Sequence, residues 1–213
     1  MTGARVFRFN DFQSNCPVIW DEGGNCVIGD PGFVGEKERE ELYGFIREKG
    51  LVPGAILLTH AHFDHIYGLH FVERDYGVRP LFHEADLFLY QRADDTHRLM
   101  MGCPFPHPVP EAGGFLHDGQ QLELGGQQIE VIHTPGHTPG GVCFYLPSEN
   151  LLFTGDTLFA ESIGRTDLPG GDYEMEISSI RERLLPLPDL TKVCCGHGPS
   201  TTIIHERHYN PYV

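Results

Sequence analysis

The chain has 213 residues, 40% hydrophobic and 21% charged, which suits one globular domain over residues 1–213 and excludes wholesale disorder. Fifteen Lys and Arg against thirty Asp and Glu leave a formal charge of −15 without any basic cluster, which argues against nucleic acid as a partner. No apolar run approaches the roughly 20 residues of a membrane-spanning helix, and the N-terminus lacks a signal-peptide stretch, so a cytoplasmic protein is predicted.

Strands are predicted at residues 6–9, 18–20 and 26–29, the last ending at Asp30-Pro31-Gly32. Residues 36–49 read as a surface helix, with Leu42, Phe45 and Ile46 on one face and Gly50 in the C-cap position. The apolar run Ala55-Ile56-Leu57-Leu58 has the character of a strand covered on both faces. Ile66, Leu69 and Val72 mark another helical stripe that closes at Gly77, and residues 84–98 form a further helix. From 100 to 111, prolines at 104, 106, 108 and 110 prevent helix and central strand, which predicts an extended loop. Short apolar segments at 122–124, 129–132, 142–145 and 151–153 suggest a meander. A helix over 173–185, with Asp172 as N-cap, and a strand at 193–195 complete the chain. Two rounds of strands followed by helices fit an α/β sandwich of two sheets flanked by helices.

Six cysteines without a CxxC pair read as reduced, buried thiols. Thirteen histidines need another explanation. Thr59-His60-Ala61-His62-Phe63-Asp64-His65 follows directly on the buried strand and puts three imidazoles and a carboxylate within six residues. His60 and His62, two apart in extended chain, can point to the same side. This donor set suits zinc, and also iron or manganese. Three segments present further donors at strand ends: the Pro/Gly-pinned turn around His137, Thr154-Gly155-Asp156, and Cys195-Gly196-His197-Gly198. Together they supply five histidines and two aspartates, about what two metals sharing a water need.

Asp30, the His60–His65 motif, His137, Asp156 and His197, in this order, resemble the five signature motifs of the metallo-β-lactamase fold superfamily. Gly164-Arg165-Thr166-Asp167-Leu168-Pro169-Gly170-Gly171-Asp172, with Gly196-His197-Gly198-Pro199, is similar to the short, single-domain members of the glyoxalase II group of thioester hydrolases. The resemblance implies an αββα four-layer sandwich with the site in the cleft between the sheets. It implies two divalent ions, zinc first: one held by His60, His62 and His137, the other by Asp64, His65 and His197, with Asp156 bridging. Asp30 would orient a ligand histidine through its other ring nitrogen. The implied reaction is attack of a metal-bound hydroxide on a small-molecule thioester such as S-lactoylglutathione, with Asp64 able to accept a hydrogen bond from the nucleophile. The full-length enzymes carry an additional helical domain for glutathione. Here sixteen residues follow His197, so those contacts do not carry over.

Arg165 reads as the partner of Asp167, with a substrate carboxylate as its other role. His205 and His208 belong to a terminal helix pattern, His133 to a strand, and His70, His83, His97, His107 and His117 have no ligand spacing. Two alternatives share the architecture. A persulfide dioxygenase would hold a single iron through His60, His137 and Asp156, and a lactonase or β-lactamase would direct the same hydroxide at another carbonyl. The sequence leaves the oligomeric state open.

Overall fold

The structure, a computed structural model, describes residues 3–213. Its first sheet contains β1 (Gly3–Phe9), β2 (Ser14–Trp20), β3 (Asn25–Gly29), β4 (Val52–Leu57), β5 (Pro80–His83) and β6 (Gly114–Leu116), side by side in chain order. Strands β1 to β3 pair antiparallel, whereas β3 to β6 pair parallel. Parallel neighbours need crossovers, and α1 (Gly35–Lys49), α2 (Phe63–Ile66), α3 (Leu69–Tyr76), α4 (Leu87–Gln91) and α5 (Ala93–Met101) lie within them. Helix α1 has Glu36 and Glu38 in its first turn and Arg47 and Lys49 in its last, matching its dipole. It stops at Gly50, whose left-handed φ of 64° lets the cap N–H turn back to the carbonyls of Ile46 and Arg47.

The second sheet begins as the expected meander of β7 (Gln121–Leu124), β8 (Gln127–His133), β9 (Val142–Leu146) and β10 (Leu151–Gly155). A small hairpin, β11 (Leu158–Phe159) and β12 (Ser162–Ile163), and helix α6 (Tyr173–Ser179) follow. Strand β13 (Lys192–Cys195) then joins parallel to β10, with β14 (Thr201–Thr202) at its outer edge and α7 (Ile203–Tyr209) closing the chain.

Period-two alternation sorts the strand residues into layers. Val27 and Leu57 of the first sheet meet Val131, Val142, Phe144 and Phe153 of the second in the core between the sheets. Their neighbours Ile28 and Ile56 point the other way, against Leu42 and Ile46 of α1 and Leu69 and Val72 of α3. On the far face of the second sheet, Ile132, Cys143, Tyr145 and Leu152 pack on Ile180, Leu184 and Ile203. The order is therefore helices, sheet, sheet, helices, the αββα sandwich that the sequence implies. Among the described residues no helix is long and apolar enough to cross a membrane.

Several local expectations need correction. The helix expected over 84–98 is a 3₁₀ turn at Glu84–Asp86 and then two helices, α4 and α5, separated at Arg92. Helix α5 runs on through Met100 and Met101 to a left-handed Gly102, so the proline-rich loop begins later than 100. The helix at 173–185 changes to a π-helical turn over Ile180–Leu184. Five cysteines are buried, but Cys103 is exposed.

Candidate metal centre

Every residue singled out for the centre lies just past the C-terminal end of a strand, where the chain leaves the sheet and side chains are free to converge. Asp30 follows β3, residues 59–65 follow β4 and open α2, and His137 sits in the turn from β8 to β9. Asp156 follows β10, and His197 follows β13. The two sheets meet here: Asn15 N–H donates to the Gly196 carbonyl at 2.7 Å, and its side-chain amide to the Cys195 carbonyl at 2.8 Å. Close approach requires the glycine at 196, because a Cβ there would stand 2.1 Å from Asp156 Oδ1.

The structure brings all seven predicted ligands together. Their nitrogens and oxygens form three tight sets: His60, His62 and His137; Asp64, His65 and His197; and His60, His65 and Asp156. His62 Nδ1 and His137 Nε2 are 2.9 Å apart, and His65 Nε2 and His197 Nε2 are 3.2 Å apart. Asp156 lies between the first two sets. Its Oδ1 is 3.4 Å from His65, while Oδ2 is 3.4 Å from His197 and 3.6 Å from His137.

The outer nitrogens of four of these rings have fixed partners. His137 Nδ1 donates to the Arg165 carbonyl at 2.7 Å and His197 Nδ1 to the Phe12 carbonyl at 2.8 Å. A carbonyl only accepts, so each Nδ1 carries a proton and each Nε2 faces inward. His65 Nδ1 donates to Asp30 Oδ2 at 3.1 Å. His60 Nδ1 is 3.0 Å from the Thr59 hydroxyl, which itself donates to Asp30 Oδ2 at 2.6 Å. Asp30 thus serves two rings, one directly and one through Thr59. Only His62 turns Nδ1 to the centre. The Asp64 carboxylate is steadied from outside by the Ser14 hydroxyl at 2.9 Å, and its backbone carbonyl accepts from Asn10 Nδ2 at 2.9 Å.

This donor set fits a cation. His60 Nε2 and Asp156 Oδ1 are buried and without a hydrogen-bond partner, and converging lone pairs with two carboxylates are what divalent ions take. The electrostatics agree. Burial takes His62 down to about 3 and pushes His60 well below the ordinary histidine value, so both rings are neutral. Burial also pulls on His65 and His197, but the Asp64 and Asp156 carboxylates outweigh it, raising His65 well up and His197 to about 10. Burial would raise Asp156, yet the facing His65 and His197 hold it well below the usual carboxylate range. The carboxylates therefore hold protons on two rings at positions where metal ions would compete for the same lone pairs.

Arg165 and Asp167 form the expected ion pair, with Nε to Oδ1 at 2.7 Å, and both are exposed. His133 stacks on His83 at 4.0 Å, His205 meets Glu161 at 2.9 Å, and His97 lies between the Tyr67 hydroxyl and the Cys103 carbonyl. None of them joins the cluster.

Two buried carboxylates beside the centre escaped sequence reasoning. Asp86, in the 3₁₀ turn after β5, touches both ligand-bearing segments. Glu176, on α6, accepts the His137 N–H at 2.8 Å through Oε2, while its Oε1 has no partner. Burial drives the Glu176 carboxyl up to about 8, against the opposing His137 N–H. The only sequence signal for Glu176 was an acidic residue beside the apolar helix face.

A sandwich of this order with a His/Asp cluster at the joined strand ends defines a metallo-hydrolase fold, and residues 9–197 match the metallo-beta-lactamase superfamily. The chain belongs to that superfamily. It is 41% identical over 203 residues to hydroxyacylglutathione hydrolase GloC of Haemophilus influenzae, covering 95% of this chain and 93% of that protein. Among solved structures it resembles BLEG-1 B3 metallo-beta-lactamase, with a TM-score of 0.90, 37% identity and 99% of each chain covered. It also resembles TTHA1623 in a di-iron-bound form, with a TM-score of 0.86, 38% identity, and 98% and 100% covered.

Proposed function

We propose that this chain is a binuclear metallohydrolase of thioesters, with S-lactoylglutathione as its first candidate substrate. The observation that carries the reading is the pair of three-donor sets with Asp156 between them. In this assignment His60, His62 and His137 hold one ion, and Asp64, His65 and His197 hold the second. Asp156 would serve both ions, and Asp30 would orient His65. Zinc is the first choice for such donors, although the di-iron form of TTHA1623 makes iron the natural comparison. Bound there, divalent ions acidify a water and polarise a carbonyl.

The chain's own residues supply orientation. Backbone carbonyls of Arg165 and Phe12 fix the tautomers of His137 and His197, and Asp30 fixes that of His65. Asp64, anchored by the Ser14 hydroxyl, would accept a hydrogen bond from the nucleophile. A thiolate leaving group, with a pKa of about 8.5, departs without a general acid. The likeness to GloC supports the thioester as substrate class.

The test is hydrolysis of S-lactoylglutathione by zinc-reconstituted protein, followed as loss of thioester absorbance together with metal analysis. Two ions per chain and a kcat/KM of about 10⁴ M⁻¹s⁻¹ or more are expected. Negligible turnover with two ions bound would discard this substrate, and a single iron with persulfide oxidation would overturn the hydrolase reading.

A further inference from the structure

We propose that Asp86 is a positioning residue that sets the distance between the two segments carrying His60, His62 and His137, an inference that rests on the ligand assignment above. Asp86 is fully buried, and none of its hydrogen bonds goes to a histidine ring. Its Oδ2 accepts the Ala61 N–H at 3.0 Å and the Thr138 hydroxyl at 2.9 Å, and its Oδ1 accepts the Gly140 N–H at 2.6 Å. Ala61 lies between His60 and His62, and Thr138 follows His137. One carboxylate therefore ties together the backbone of one ligand segment and the turn that presents the third ligand.

Three features separate this from ordinary packing. The turn is built to receive the carboxylate: a Cβ on Gly140 would lie 2.7 Å from Asp86 Cγ and Oδ1, so only glycine lets the chain close on it. The turn is also stiff in itself, with Gly136 N–H donating to the Thr138 carbonyl at 3.0 Å and Thr134 N–H to that of Gly141 at 2.8 Å. Holding it at Thr138 and Gly140 therefore fixes where His137 stands. Finally, a buried anion with three donors is costly to desolvate, and a neutral side chain would fill the same space more cheaply. The anion is favourable beside a centre whose bound ions carry positive charge.

The second set, Asp64, His65 and His197, has separate supports in Ser14, Asp30 and the Phe12 carbonyl. Loss of Asp86 should accordingly act on one ion and spare the other.

The experiment is zinc titration of full-length protein against a chromophoric chelator, for wild type, Asp86→Asn and Thr138→Val. His62→Ala and His197→Ala identify which binding step belongs to which set. Asp86→Asn keeps the volume but turns an amide toward at least one of the three donors. Outer partners of metal ligands are typically worth 10–100-fold in affinity, so the step at His60, His62 and His137 should weaken by about that factor, with the other step unchanged. In turnover, kcat should fall while KM holds. Thr138→Val, which removes one donor and leaves the carboxylate in place, should weaken the same step by a smaller factor. Equal weakening of both steps, or of neither, in the folded variants would overturn the inference. A wild type that takes up one ion would instead sink the two-ion assignment, and the Asp86 inference would then be decided by whether that one step weakens.

Discussion

Glu176 makes stability depend on pH in a direction opposite to that of most carboxylates. Its proton is retained up to about 8 in the folded chain because the group is buried with one oxygen unpartnered. In the unfolded chain an ordinary glutamate loses its proton near 4.3. The folded pKa is the higher one, so this group's contribution is complete below the unfolded value and is lost as pH rises through about 8. At about 1.4 kcal/mol per pK unit, the wild type should lose about 2.5 kcal/mol between pH 5 and pH 7 from this residue alone. Glu176→Gln removes the titration while its carbonyl can still accept the His137 N–H. Urea unfolding of both metal-free proteins at pH 5, 6 and 7 isolates the effect, since the histidines common to both cancel in the difference. The variant should gain on the wild type steadily with pH, at unchanged m-value. A difference that stays flat across this range, or that shrinks with rising pH, would refute the protonated carboxyl.

Other predictions concern the centre directly. Asp156→Ala should lower metal content and abolish hydrolysis while circular dichroism stays near that of the wild type. Full activity would remove Asp156 from its bridging place. Asp30→Asn should reduce metal affinity by about 10–100-fold, because Asp30 orients His65 directly and His60 through Thr59. Chelator competition measures it, and wild-type affinity in the variant would show that the two rings hold their orientation unaided.

The clustered donors were legible in the sequence because strand ends expose them in compact runs. His60, His62, Asp64 and His65 declare themselves by local spacing, and His137, Asp156 and His197 by the Gly- and Pro-rich turns around them. Asp86 and Glu176 did not, since each works through backbone N–H groups 25 to 54 residues away in sequence. A single acidic letter carries no trace of such partners. The layers were readable from the two rounds of strands and helices rather than from alternation, since a strand such as β9 is apolar and buried throughout. Strands β5 and β6, of four and three residues, are too short to show a period and depend on their parallel neighbours. The break at Arg92 left no mark in the sequence pattern, and the left-handed Gly102 that ends α5 lies beyond the end expected at residue 98.

Neither three-donor set can be completed within one sheet. His60 and His62 wait for His137, 75 residues beyond His62, and Asp64 and His65 wait for His197, 132 residues beyond His65. Ions held as proposed would therefore act as cross-links between the halves of the sandwich, each closing a long loop of chain. All six cysteines are free, so no covalent tie does that work. The free energy of ion capture becomes free energy of sheet docking. Chelation would then loosen the seam between the sheets first, while the hydrogen-bond ladder inside each sheet stays intact.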